Sequence, residues 1–203
     1  EYKQSVKFPK SELAYRAFAG VGYNYGGDTI IGPTLPFYKQ FSAGGPNSMR
    51  AWRLRQLGLG SSNQSELDTA ANAFRDRFGD MQLEFNVEYR FQLASIGSFK
   101  IGSALYADIG NVWNIKRAAS TDMDTRFSLS NFTRDMAIGI GTGLRFDMSY
   151  FLIRLDFAYK LKDPLRAANN GWMSIKDFTW NDTRPNGIKV PNFALQLGIG
   201  LPF

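Results

Sequence analysis

Histidine and cysteine are both absent from this chain of 203 residues. Their absence excludes a Ser-His-Asp triad, a Cys-His pair, a disulfide framework and any metal site built on thiolate or imidazole. Catalysis would have to rest on carboxylates, lysine or tyrosine. Also missing is any run of about 18 apolar residues, so no segment can cross a membrane as a helix. The net charge is +6 and the isoelectric point about 9.5, yet the basic residues are scattered and no Lys/Arg block occurs. Such a balance fits contact with anionic surfaces such as lipopolysaccharide phosphates and argues against nucleic acid as a partner. No signal peptide opens the chain at Glu1, so the sequence reads as mature or cut material and its location has to come from the fold.

What the chain has instead is aromatic residues and glycine, with Phe 17, Tyr 9, Trp 4 and Gly 20. A mean hydropathy of -0.27 is compatible with strands that are apolar on one face only. Alternation of period two runs through residues 13–25, 81–93, 99–112, 136–147, 150–161 and 192–203. Residues 81–93 show it best: Leu83, Phe85, Val87, Tyr89 and Phe91 oppose Glu84, Asn86, Glu88 and Arg90. The charged face cannot lie in a dry core and the apolar face cannot all meet water, so a strand with lipid on one side and a wet lumen on the other accounts for both. In residues 136–147 the polar side is a glycine stripe, Gly139, Gly141 and Gly143, which points to close approach from inside.

Connections run long, short, long, short, long, at about residues 26–80, 92–98, 114–135, 148–149 and 162–191. That asymmetry belongs to outer-membrane barrels, with short periplasmic turns and long outer loops, and it puts the C-terminus in the periplasm. The predicted fold is all-β, an antiparallel transmembrane β-barrel. Six strands are too few to close one, because about eight are needed before no edge is left unpaired in lipid. Residues 1–8 read as the tail of a further strand, and the chain as the C-terminal strands of a larger barrel, with a small barrel or self-association between copies as other ways to close.

Inside the loop of residues 26–80 lies the most specific cluster in the chain: Leu35-Pro36-Phe37-Tyr38-Lys39-Gln40-Phe41, then Gly44-Gly45 and Ser48-Met49-Arg50-Ala51-Trp52. Paired glycines allow a sharp reversal that presents Arg50 at a fixed position. This frame resembles the inward-folded sixth loop of the BamA/TamA superfamily of outer-membrane assembly barrels. That family's signature is Val-Arg-Gly-Phe/Tyr, and here Met49 stands for the valine and Ala51 for the glycine. A guanidinium in a confined site needs an acidic partner. The resemblance offers Glu88 and Asp108 as receptors for the loop arginine, with Glu84 as a rival. Parity alone puts both on the polar face, where plain ion pairs with Lys100 or Arg145 are the alternative.

Other site chemistry is weak. Glu84 and Glu88 as a catalytic pair would stand about 13 Å apart along a strand, too far for glycoside hydrolysis. Asp122 and Asp124 lack the glycine and terminal glutamate of a calcium loop. The resemblance implies no enzyme, no cofactor and no metal. It implies an outer-membrane protein assembly, insertion or translocation factor, with a weak lateral seam on the last strand. Gln196, Gly198, Gly200, Leu201 and Phe203 make up that seam and the assembly signal. Implied partners are outer-membrane lipid, client β-barrel proteins and periplasmic or lipoprotein partners. The other reading of the same barrel is a passive pore or two-partner secretion transporter.

Overall fold

The computed structural model describes residues 1–25, 35–62, 77–115, 123–148, 150–166, 168–174, 176, 178–183, 187 and 189–203. Among these residues seven strands form one antiparallel sheet: β1 (Tyr2–Phe8), β2 (Ser11–Val21), β3 (Met81–Ile96), β4 (Phe99–Trp113), β5 (Ala137–Asp147), β6 (Leu152–Lys162) and β9 (Phe193–Ile199). Each pairs with the next, β1 and β9 stand at the edges, and the sheet is not closed on itself. Two short strands, β7 (Asn181–Thr183) and β8 (Lys189–Pro191), pair separately in the connection before β9.

The antiparallel alternation read from the sequence is present, with differences in extent, the first being that the strand read over residues 13–25 runs from Ser11 to Val21. Residues 2–8 are a full strand, not a tail, because Pro9 and Lys10 turn the chain tightly and Phe8 pairs with Ser11. The connection between β3 and β4 shrinks to Gly97 and Ser98, with Gly97 at φ +60°. Alternation stops at Leu93 because the strand bulges between Gln92 and Ala94, which reverses the parity of residues 94–96 while the pairing continues to Ile96. The last strand ends at Ile199, short of Phe203, because Gly200 at φ +78° breaks the extended course.

The two faces of the sheet are inverted relative to a protein that folds in water. Arg16, Glu84, Glu88, Asp108, Arg145, Arg154 and Asp156 are all buried on one face. On the other, Phe85, Tyr89, Leu105, Leu195, Leu197 and Ile199 are exposed, Ile199 by 78%. An apolar face this continuous is stable against lipid and not against water. Of the described parts of the long loop, residues 35–62 and 77–80, the first covers the polar face and supplies its apolar core, with Met49, Ala51, Trp52 and Leu57 buried beside Tyr106 and Val112. Residues 26–34 and 63–76 of that loop, and Asp122 of the weighed cation pair, lie outside the described residues.

At the loop end of the strands, a four-residue helix α1 (Phe132–Asp135) packs on Trp113, whose indole N–H donates to Asp135 at 3.1 Å. Lys162 at the end of β6 donates to the carbonyls of Thr133, Arg134 and Met136 at 2.9, 2.6 and 2.7 Å. One ammonium thus satisfies three carbonyls around the C-terminal end of that helix, the end that carries partial negative charge.

Candidate functional site

The loop tip is a closed turn whose shape follows from its glycines. Gly44 and Gly45 sit at φ +111° and +90°, and a Cβ on Gly44 would lie 2.2 Å from the Arg53 carbonyl oxygen. No side chain fits there, so the chain folds back with Gly45 N–H on the Trp52 carbonyl at 2.9 Å and Trp52 N–H on the Met49 carbonyl at 3.0 Å. This compact turn aims Arg50 at the sheet. The Ser48 hydroxyl accepts from Gly44 N–H at 3.1 Å and donates to Glu84, which pins one flank.

Arg50 is 1% exposed and lies between β3 and β4. Its Nε and Nη2 meet the two oxygens of Asp108 at 2.9 and 2.8 Å, a side-on fork, and its backbone N–H adds a third bond to Asp108 at 3.1 Å. Nη1 donates to Glu88 at 2.5 Å, and the guanidinium stacks 3.4 Å from the centre of the Tyr106 ring. Burial works against the charge, but Asp108 and then Glu88 outweigh it, so Arg50 holds its proton more firmly than a free arginine. Asn86 fixes the geometry from β3 by donating to Asp108 at 3.0 Å and to the Ser48 carbonyl at 3.1 Å.

Glu84 does not meet Arg50. It accepts from Arg16 at 2.7 Å, from Gln82 at 2.7 Å and from Ser48. The rival is thus taken up by β2 and the flank of the loop, because four residues along a strand carry a carboxylate about 13 Å away. Glu88, besides Arg50, accepts from Arg90 and Arg145, both at 3.0 Å, while Lys100 is exposed. The loop arginine and the plain ion pair with Arg145 therefore coexist on one carboxylate.

Charge alternates onward across the sheet. Arg145 lies 2.6 Å from Asp156, a charge contact without an aligned hydrogen bond, and Asp156 accepts from Arg154 at 2.7 Å. Three arginines and three carboxylates, Asp108, Arg50, Glu88, Arg145, Asp156 and Arg154, form one buried chain from β4 to β6. Arg145 was read from the sequence as an ion-pair partner, and Asn86, Tyr106, Asp156 and Arg154 were visible there only as polar-face residues. Their common parity on strands paired in order was the available signal.

The glycine stripe of β5 receives the tip. A Cβ on Gly139 would lie 2.9 Å from that of Ala51, so the missing side chain on β5 leaves room for a methyl where the resembled signature has glycine. Trp52 packs beside it under Lys160, whose ammonium is 5.4 Å from the ring centre. From β9, Gln196 donates to the carbonyls of Arg50 and Trp52 at 3.2 and 3.0 Å.

Beyond Ile199 the end of the chain leaves the extended course. Gly198 lies against β6: a Cβ there would lie 2.5 Å from Arg154 Nε. Phe203 does not stand with Leu195 and Leu197 on the apolar face. The turn at Gly200 brings its carbonyl 3.1 Å from Arg90 and its ring 5.5 Å from that guanidinium, while Leu201 stays exposed.

Among the described residues no group of three or more carboxylates gathers as a metal site. Comparison with curated proteins gives no match. The family model of the Omp85 superfamily domain matches residues 2–201, nearly the whole chain. An open antiparallel sheet, apolar outside and charged within, together with that match, establishes that the chain belongs to the Omp85 superfamily of outer-membrane β-barrels, which assemble or translocate proteins without enzymatic turnover.

Proposed function

We propose that this chain is the C-terminal barrel region of an outer-membrane assembly or insertion factor that works physically. In this reading residues 26–80 fold into the lumen as a brace. The last strand forms a weak seam whose edge receives a client β-strand, and the short turns and the end of the chain face the periplasm. One observation carries it: the loop tip touches both the β3–β4 wall through Arg50 and the last strand through Gln196. Strand length supports the seam. β9 has seven residues against sixteen in β3. Seven residues reach about 23 Å, less than the ~30 Å of a hydrocarbon core, which favours a thinner bilayer beside β9. A thinned bilayer beside an unpaired strand edge lowers the barrier to inserting another strand.

The test is assembly of client barrels by the full-length protein carrying Arg50→Ala, beside Arg53→Ala at an exposed position of the same tip. Loss with the first and not the second supports the brace. Normal assembly with Arg50→Ala removes it. Periplasmic domains encoded upstream separate the assembly factor, which has several, from a two-partner secretion barrel with two and a pore with none.

A further inference from the structure

Arg154 is fully buried on β6, and its donors reach its own strand, the loop tip and the end of the last strand. Nη1 donates to Asp156 at 2.7 Å and to the Pro46 carbonyl of the loop tip at 2.7 Å, Nη2 donates to the Asn47 side chain, and Nε donates to the Gly200 carbonyl at 3.0 Å. Gly200 is the residue at which the chain leaves β9, and Gly198, two residues before, has no side chain in the place where the guanidinium lies. One rigid, planar cation therefore holds the tip of the loop and the end of the last strand at the same time, with Asp156 balancing its charge.

We propose that Arg154 is a positioning residue that couples these two segments, so that freeing the end of β9 also frees the loop tip. The proposal deepens the brace-and-seam reading and rests on it. A client strand that draws on β9 shifts Gly200, and Arg154 cannot follow that shift and keep Pro46 and Asn47. Opening of the seam is thereby registered at the tip of the brace, on the opposite flank from Arg50.

The test is hydrogen exchange of the full-length protein in lipid nanodiscs, read on residues 44–52 and 193–203 and on β3 and β4. Gly198→Ala is the discriminating variant. It adds one methyl at 2.5 Å from Arg154 Nε, where the flexible arginine has to give way, and the three atoms nearest to that methyl all belong to the Arg154 guanidinium. Alanine is no worse than glycine in a strand, so the strand itself is not weakened. Exchange is expected to rise about tenfold or more in both segments together, as for local opening that spares the rest of the fold, with β3 and β4 unchanged. Arg154→Ala should do the same, and Arg154→Lys should rescue only in part, since an ammonium cannot span four acceptors in a plane.

If Arg154→Ala fails to assemble, Gly198→Ala decides alone. Exchange that rises in residues 193–203 only, or equally in every strand, overturns the coupling. Arg50→Ala in the same experiment reads the brace separately: if it frees residues 44–52 while Gly198→Ala does not, the brace stands and the coupling falls. If Arg50→Ala leaves residues 44–52 unchanged, the brace falls as well.

Discussion

Arg50 meets Asp108 through two nitrogens in one plane and Glu88 through a third, a pattern that an ammonium cannot copy. Arg50→Lys is therefore expected to act as a disruptive change. Removing one partner of a shielded pair costs roughly 3–5 kcal/mol, against about 0–1 kcal/mol for an exposed one. Arg50→Ala should lower barrel thermal stability by an amount in the first range and Arg53→Ala by one in the second, measured by thermal unfolding in detergent. Double-mutant cycles with Asp108→Asn and Glu88→Gln give the coupling of each pair. The Arg50 side chain gives Asp108 two hydrogen bonds and Glu88 one, so the Asp108 cycle should show the larger value. Coupling near zero in both would mean that these bonds do not hold the loop.

At the scale of elements, β5 works as a floor. Its glycines at 139, 141 and 143 lie under Ala51, the Tyr106 ring and the Asp156 carboxylate respectively. Gly139→Val puts branched carbon into space that Ala51 occupies, and overpacking of this kind costs about 1–3 kcal/mol. The expected result is a displaced tip: trypsin added to intact cells should cut at Arg50 and Arg53 in the variant and spare them in the parent. Thr142→Val, of similar size and on the opposite face of the same strand, should leave the pattern unchanged.

The cap formed by Lys162 on α1 belongs to the same scale. Lys162→Met removes three bonds to carbonyls, and charge-assisted bonds are worth about 1.5–3 kcal/mol each before compensation by water. Faster trypsin cleavage at Arg126 and Arg134, with the barrel still assembled, is the expected outcome. Unchanged cleavage would show that Trp113 and its aromatic neighbours hold that loop without the lysine.

For the whole molecule, the exposed apolar face sets the solvent. Leu195, Leu197 and Ile199 are exposed by 65% or more, and burying each in hydrocarbon is worth roughly 1.5–3 kcal/mol. The protein is expected to stay in the membrane pellet at alkaline pH and to enter solution only with detergent; recovery in a soluble fraction without detergent would contradict the fold. Removing Phe203 takes away the ring and the carbonyl that Arg90 holds, and should reduce the amount assembled in the membrane. A matching loss in Arg90→Ala would trace the effect to that contact, and a normal Arg90→Ala with a defective Phe203 deletion would trace it to recognition during assembly.

The alternation of residues 81–93, the charged parity of Glu84, Glu88 and Asp108, and the glycine reversal before Arg50 are local facts. A strand repeats every two residues, and only glycine takes φ +111° without cost, so each could be read from the chain alone. Partner choice could not. Glu84 and Glu88 share a face, and parity treats them alike; where residues 44–52 come to rest decided that Ser48 meets one and Arg50 the other. Ala51 over Gly139, Arg154 over Gly198 and Phe203 against Arg90 join residues 88, 44 and 113 positions apart. Such contacts depend on strand register and loop docking, and no periodicity along the chain encodes the distance between two segments that meet only when the sheet is built.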